Sequence, residues 1–128
     1  MKRVLLDSHA LIWWLLDHQK LGPKARHEIA DPRNQIYVSA ASVWEIAIKQ
    51  AAGKLSGFED LETLVDDQGF HSLSINLYHA QSAGALPKHH ADPFDRMLVA
   101  QAQAEGLIFM TADGLIQPYG IRTINPRE

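Results

Sequence analysis

Short apolar runs alternate with longer segments of helical pattern along the whole chain, and this alternation limits the fold more than any other feature. "RVLLD" (3–7), "QIYVS" (35–39), "HSLSI" (71–75), "LIFMT" (107–111) and "GIRTI" (120–124) read as strands. "SHALIWWLLDH" (8–18), "GPKARHEIAD" (22–31), "SAASVWEIAIKQAAGK" (39–54), "FEDLETLVDDQG" (58–69), "LYHAQSAGAL" (77–86) and "DPFDRMLVAQAQAEG" (92–106) read as helices. Strands separated by helices form βαβ units, and such units bury a parallel sheet on both faces. The expected fold is α/β, a three-layer α/β/α sandwich around a central parallel sheet of four to five strands with right-handed crossovers.

The 128 residues suit one domain, 1–128, with no repeat or linker to divide them. With no cysteine, disulfides and thiolate metal sites are excluded, and a reducing compartment fits. The run "ALIWWLL" (10–16) is too short to span a bilayer and lacks a signal-type cleavage site. The expectation is a soluble, cytoplasmic protein without a membrane partner. The net charge of −3 is the wrong sign for binding nucleic acid by phosphate neutralisation alone. Binding would need a metal or a partner to help.

"HHADPFDRM" (89–97) is a strong helix start. Asp92 can cap the helix, Pro93 fits its first position, and Asp95 in the first turn favours the positive end of the dipole. Asp7 ends the first strand, and Asp113 follows the fourth within "TAD". Ligands of open parallel sheets bind beyond the carboxyl ends of the strands, so both acids belong to one rim. Glu45 lies two turns into the helix after the second strand and can lean over the same edge.

Four carboxylates on one rim repel one another, and a divalent cation resolves the repulsion. Hard oxygen ligands suit Mg²⁺ or Mn²⁺. Each acid also has a local reading. Asp7 can cap the helix at Ser8, Asp113 can serve a turn before Gly114, and Glu45 can pair with Lys49 or close a capping box with Ser42. His89 and His90 read as solvated loop residues near a phosphate, and His9 as helix surface or core. No spacing typical of a zinc protease, Walker loop, nucleophile elbow or dinucleotide fold is present.

The stretches "LLDSHALIWW", "VSAASVWEIAIK", "LPKHHADPFDRMLVAQA" and "FMTAD" together resemble the PIN-domain family, and within it the VapC-type toxins of toxin–antitoxin systems. The resemblance covers nearly the whole chain, and the "DPFDR" block is its most specific part. It implies a small α/β/α nuclease fold and an Mg²⁺- or Mn²⁺-dependent ribonuclease. The family's acidic quartet falls on Asp7, Glu45, Asp95 and Asp113, with Asp92 as an additional ligand or a cap. Thr111 matches a hydroxyl that accompanies the last acid. No core acid is missing, so an inactive member is not indicated. The resemblance further implies a homodimer neutralised by a cognate antitoxin, and "ALIWWLL" is a candidate partner surface.

Lys49, Lys88 and Arg96 are candidates to touch the RNA backbone, although a salt bridge is an equal reading of Arg96. Two other function classes stay open. One is a different phosphodiesterase, such as a DNA nuclease or a phosphatase; "DSH" lacks the second aspartate that a haloacid-dehalogenase-type phosphatase needs. The other is a non-catalytic module that holds a metal or a basic peptide.

Overall fold

The computed structural model describes residues 1–128. Five strands, β1 (Arg3–Leu6), β2 (Gln35–Ser39), β3 (His71–Leu73), β4 (Ile108–Met110) and β5 (Thr123–Ile124), form one sheet in the order β3-β2-β1-β4-β5. Every neighbouring pair is parallel. Val4 of β1 is in register with Ile36 on one side and Ile108 on the other. The chain builds outward from β1 through β2 to β3, then returns past β1 to add β4 and β5. The winding direction therefore reverses between β1 and β4, and a crevice opens there at the carboxyl ends of the strands.

The crossovers are helical: α1 (Ser8–Leu15) and α2 (Pro23–Ala30), then α3 (Ala40–Ala51) and α4 (Leu61–Asp67), then α5 (Leu77–Ala85) and α6 (Pro93–Glu105). The pleat sorts the strand residues between two apolar layers. Val4, Leu6, Val38 and Met110 pack with Leu11, Ile29 and Val65 on one face. Leu5 and Phe109 pack with Leu98, Val99 and Ala102 of α6 on the other. Leu5 and Phe109 are fully buried, and each such side chain contributes about 1.5–3 kcal/mol relative to exposure. With both faces buried, the strands read as continuous apolar runs rather than alternating ones.

The structure departs from the sequence reading at several points, among them the third strand, which ends at Leu73, short of 75. α1 ends at Leu15, short of 18, because Asp17 takes a left-handed backbone conformation (φ 50°). The fifth strand is only Thr123–Ile124, and a 3₁₀ helix over Gly114–Tyr119 precedes it. The capping box at Ser42 is not formed: Ser39 caps α3, and Ser42 is buried inside the helix. Finally, most of "ALIWWLL" is taken up by the protein's own core, with Leu16 left exposed at its end. Ala10, Leu11, Ile12 and Trp13 are buried, and Trp14 packs on Phe70 and donates its indole N–H to Gln68 at 3.0 Å. What the run leaves for a partner is its end, at Leu16. No helix is long and apolar enough to cross a membrane.

Candidate metal centre

Asp7, Glu45, Asp92, Asp95 and Asp113 line one cavity of about 480 Å³ at the crevice between β1 and β4. A larger groove, about 610 Å³, runs along α3, α4 and β3, but its lining is mostly apolar. The chemistry belongs to the smaller cavity.

Three of these acids reach the cavity by the same local device. Asp7 caps α1, its Oδ1 accepting the Ala10 N–H at 2.7 Å. Asp92 caps α6, its Oδ1 accepting the N–H groups of Phe94 and Asp95 at 2.8 and 3.1 Å. Asp113 caps the 3₁₀ helix, its Oδ1 accepting the Leu115 N–H at 2.9 Å. Each cap occupies one carboxylate oxygen and fixes the direction of the other. Capping is therefore compatible with ligation through the second oxygen. Asp95 sits in the first turn of α6, as its position after Pro93 requires.

Glu45 is held from two sides. Its Oε1 accepts the Ser8 hydroxyl at 2.5 Å, and its Oε2 lies 3.5 Å from the Lys49 ammonium one turn along α3. Thr111 is buried, and its hydroxyl accepts the Asp113 N–H at 3.2 Å. It also draws the Asp7 carboxyl downward in pKa. Thr111 is thus a support for two acids.

His90 is not a solvated loop residue: only 10 % of its side chain is exposed. Its Nδ1 accepts the Asp92 N–H at 3.0 Å, so the ring proton resides on Nε2. That Nε2–H points at Asp113 Oδ2 (2.6 Å) and Asp95 Oδ2 (3.2 Å). The three atoms lie close enough together for a shared ion. In this tautomer, however, His90 offers a hydrogen rather than a lone pair. The carboxylates are the groups with oxygens free to hold an ion, and His90 bridges two of them, Asp95 and Asp113. A local signal did exist in the sequence, because a histidine two residues before an N-cap aspartate can accept that residue's N–H.

Arg96 is not part of the cavity lining, and the salt bridge read for it is not formed. Its guanidinium donates to the carbonyls of Ala83 (3.0 Å), Leu86 (2.9 Å), Pro87 (3.1 Å) and His90 (3.3 Å). It therefore ties α6 to the loop that carries His90. Tyr119 secures the same loop, donating its O–H to Pro87 and accepting the His90 N–H. Of the other cations, Lys49 lines the cavity, whereas Lys88 is exposed on the loop and outside the lining. Lys20 and Arg127, which the sequence reading passed over, do line it, as does the exposed His9.

The electrostatics show a surplus of negative charge. Burial, then the Asp92 charge, push Asp95 up to about 7 against the opposing pull of His90. Burial also raises Asp7, with Glu45 adding to the shift and the Ala10 N–H resisting it. Burial pushes Asp113 upward too, but the Leu115 N–H and His90 outweigh it, and the carboxyl ends below its usual range. A raised aspartate among fixed carboxylates is the signature of a site whose charge is unbalanced by protein groups alone. An all-oxygen donor set of this kind fits a hard divalent cation.

Residues 4–117 match the family model described as PIN domain. The chain is 32% identical over 121 residues to Ribonuclease VapC22 of Mycobacterium tuberculosis, with 88% of each chain covered. Among solved structures it superposes on VapBC2 from Rickettsia felis bound to a promoter DNA fragment. That match has a TM-score of 0.69 at 14% identity, covering 96% of this chain and 98% of that one. VapBC-1 from nontypeable Haemophilus influenzae gives a TM-score of 0.69 at 15% identity, covering 98% and 99%. The strand order, the acids at the winding reversal and the family match over most of its length agree: this chain belongs to the PIN domain family.

Proposed function

We propose that this protein is a divalent-metal-dependent endoribonuclease and the toxin of a toxin–antitoxin pair. The observation that carries the reading is the convergence of Asp7, Glu45, Asp95 and Asp113 on one cavity in a PIN-domain chain. The 32% identity to a protein named a ribonuclease supports RNA as the substrate. Asp7, Glu45, Asp95 and Asp113 would hold Mg²⁺ or Mn²⁺, with the free oxygen of Asp92 nearby. A bound divalent ion supplies an activated water and stabilises charge on the attacked phosphate.

The chain's own groups prepare that chemistry. Ser8 and Lys49 fix the two oxygens of Glu45. His90 sets the spacing of Asp95 and Asp113. The helix caps orient Asp7, Asp92 and Asp113 before any ligand arrives. Lys49 in the cavity and Lys88 on its approach are cations for the RNA backbone. The products expected of in-line displacement by water are a 5′-phosphate and a 3′-hydroxyl.

The proposed partners are an antitoxin and a second copy of the chain. Trp44 (62 % exposed) and Ile48 (45 % exposed) leave an apolar strip on α3 beside the cavity. Large exposed apolar side chains of this kind support a protein partner. The working compartment is the cytoplasm, where the RNA is.

The test is cleavage of a total RNA pool by protein freed of any antitoxin, with an equal mass of single- and double-stranded DNA as the alternative substrate. RNA cut to 5′-phosphate ends with DNA intact supports the reading. DNA cut in preference moves the assignment to a DNA nuclease, and metal binding without turnover on either moves it to a binding module.

A further inference from the structure

The segment Asn125–Glu128 runs back over the start of α2. The Gly22 N–H donates to the Pro126 carbonyl and the Lys24 N–H to the Glu128 main-chain oxygen, both at 2.8 Å. Pro126 is buried. The Asn125 side chain accepts the Arg127 N–H at 2.9 Å, and its carbonyl accepts the Glu128 N–H at 3.2 Å. The approach to α2 is close enough to require glycine at 22. A Cβ there would stand 2.3 Å from the Glu128 carbonyl carbon and 2.5 Å from the Arg127 oxygen. Gly22 has an ordinary extended backbone (φ −73°), so the demand comes from this contact and not from conformation.

The strap places Arg127 on the lining of the acid cavity, with its guanidinium 5.7 Å from the centre of the Trp13 ring. Trp13 is buried beneath it. The aromatic face holds the guanidinium plane without using its N–H groups. Arg127 enters no ion pair with the neighbouring acids. Lys20 lines the same cavity and is likewise in none of those pairs, whereas Lys49 is engaged by Glu45. A chain of net charge −3 with an acid-lined cavity repels RNA, so free cations at its mouth are where a backbone can be held.

We propose that residues 125–128 form a strap that presents Arg127, with Lys20 beside it, to a backbone phosphate flanking the cleaved bond. The inference rests on the ribonuclease reading above. Arg127 binds substrate in this account, and Gly22 acts through it as a positioning residue.

The test uses the shortest RNA oligonucleotide that spans a cleavage site mapped in the RNA pool. Wild type, Arg127→Gln, Arg127→Lys and Gly22→Ala are compared in kcat, KM, salt dependence and Mn²⁺ affinity by calorimetry. Arg127→Gln is expected to raise KM about tenfold, as for a lost charge-assisted contact. It should lower the salt slope by about 0.7, the value for one phosphate on a single strand, and leave kcat and Mn²⁺ affinity unchanged. Arg127→Lys should recover part of the loss. Gly22→Ala, folded by near-ultraviolet circular dichroism, should reproduce the KM effect although it alters no cavity side chain. Wild-type cleavage with an unchanged KM and salt slope in Arg127→Gln overturns the strap and leaves the ribonuclease reading standing. A fall in kcat or Mn²⁺ affinity instead of a rise in KM overturns it as well. Absence of RNA cleavage by wild type removes both.

Discussion

His90 Nε2 lies 2.6 Å from Asp113 Oδ2, and the other nitrogen of the same ring accepts the Asp92 N–H. One backbone amide thus decides which nitrogen carries the proton, and that proton spans two carboxylates. His90 is therefore expected to organise the acid set rather than to ligate a cation. His90→Ala should destabilise the metal-free protein by about 1–2 kcal/mol, the loss expected when buried acceptors lose a donor. Its Mn²⁺ affinity should fall roughly 10- to 100-fold, as when a partner that orients the ligands is lost. Calorimetric titration with denaturation in EDTA separates the two effects. An affinity unchanged from wild type would take His90 out of the group that orients the acids.

The metal-free protein should become less stable as pH rises from about 4 to about 7. Asp95 is pushed up to about 7 from an ordinary 3.8, and Asp7 is raised as well. Between those values the folded state holds more protons than the unfolded state, so unfolding free energy falls with pH. Asp95→Asn should flatten that slope and raise the melting temperature in EDTA at pH 8. Divalent affinity of the wild type should climb over the same interval as the proton leaves Asp95. Melting curves in EDTA that are level from pH 5 to 8 would remove the charge surplus from the account.

Asp92 offers a cleaner separation of cap from ligand. Asparagine caps a helix as well as aspartate does, while alanine does not. Asp92→Asn should therefore keep wild-type stability, and Asp92→Ala should lose about 1 kcal/mol. If Asp92 only orients Asp95, Asp92→Asn retains cleavage within a few-fold. A loss as deep as that of Asp95→Asn would place Asp92 among the essential ligands.

Arg96 is expected to matter for folding and positioning rather than for RNA affinity. Its guanidinium serves four carbonyls, one in the last turn of α5 and three in the loop that ends at His90. Lysine cannot reproduce that planar fork. Arg96→Lys should cost about 2–3 kcal/mol, as for disruption of a partly buried hydrogen-bond network. It should lower kcat with KM little changed. A rise in KM at unaltered stability would restore Arg96 as an RNA contact.

Much of this was legible in the chain because the strongest signals are local. The alternation of "RVLLD" and "LIFMT" with helices indicated the parallel sheet, and "ADPFD" indicated a cap, a proline and an acid in one turn. The carboxyl-end rule then brought Asp7 and Asp113 to one rim without coordinates. What stayed hidden depends on contacts distant in sequence. Arg96 looked free because its acceptors are carbonyls, which every residue carries and no pattern marks. Arg127 meets Trp13 across more than one hundred residues, through a strap that only Gly22 admits. His90 looked solvated because its loop is polar, and what holds that loop down is Tyr119 and Arg96, bonded to the His90 backbone. The 3₁₀ helix over Gly114–Tyr119 escaped because Gly114 and Pro118 read as loop signals.

The most direct measurement compares wild type with Asp7→Asn on total RNA, each with Mg²⁺, with Mn²⁺ and with EDTA. Asp7 is the buried acid at the end of β1, and asparagine preserves its cap on α1 while removing its charge. The account predicts cleavage by wild type with either metal, none in EDTA, and none by the folded Asp7→Asn protein under any condition. Cleavage that survives EDTA or the substitution would contradict a metal centre built on Asp7.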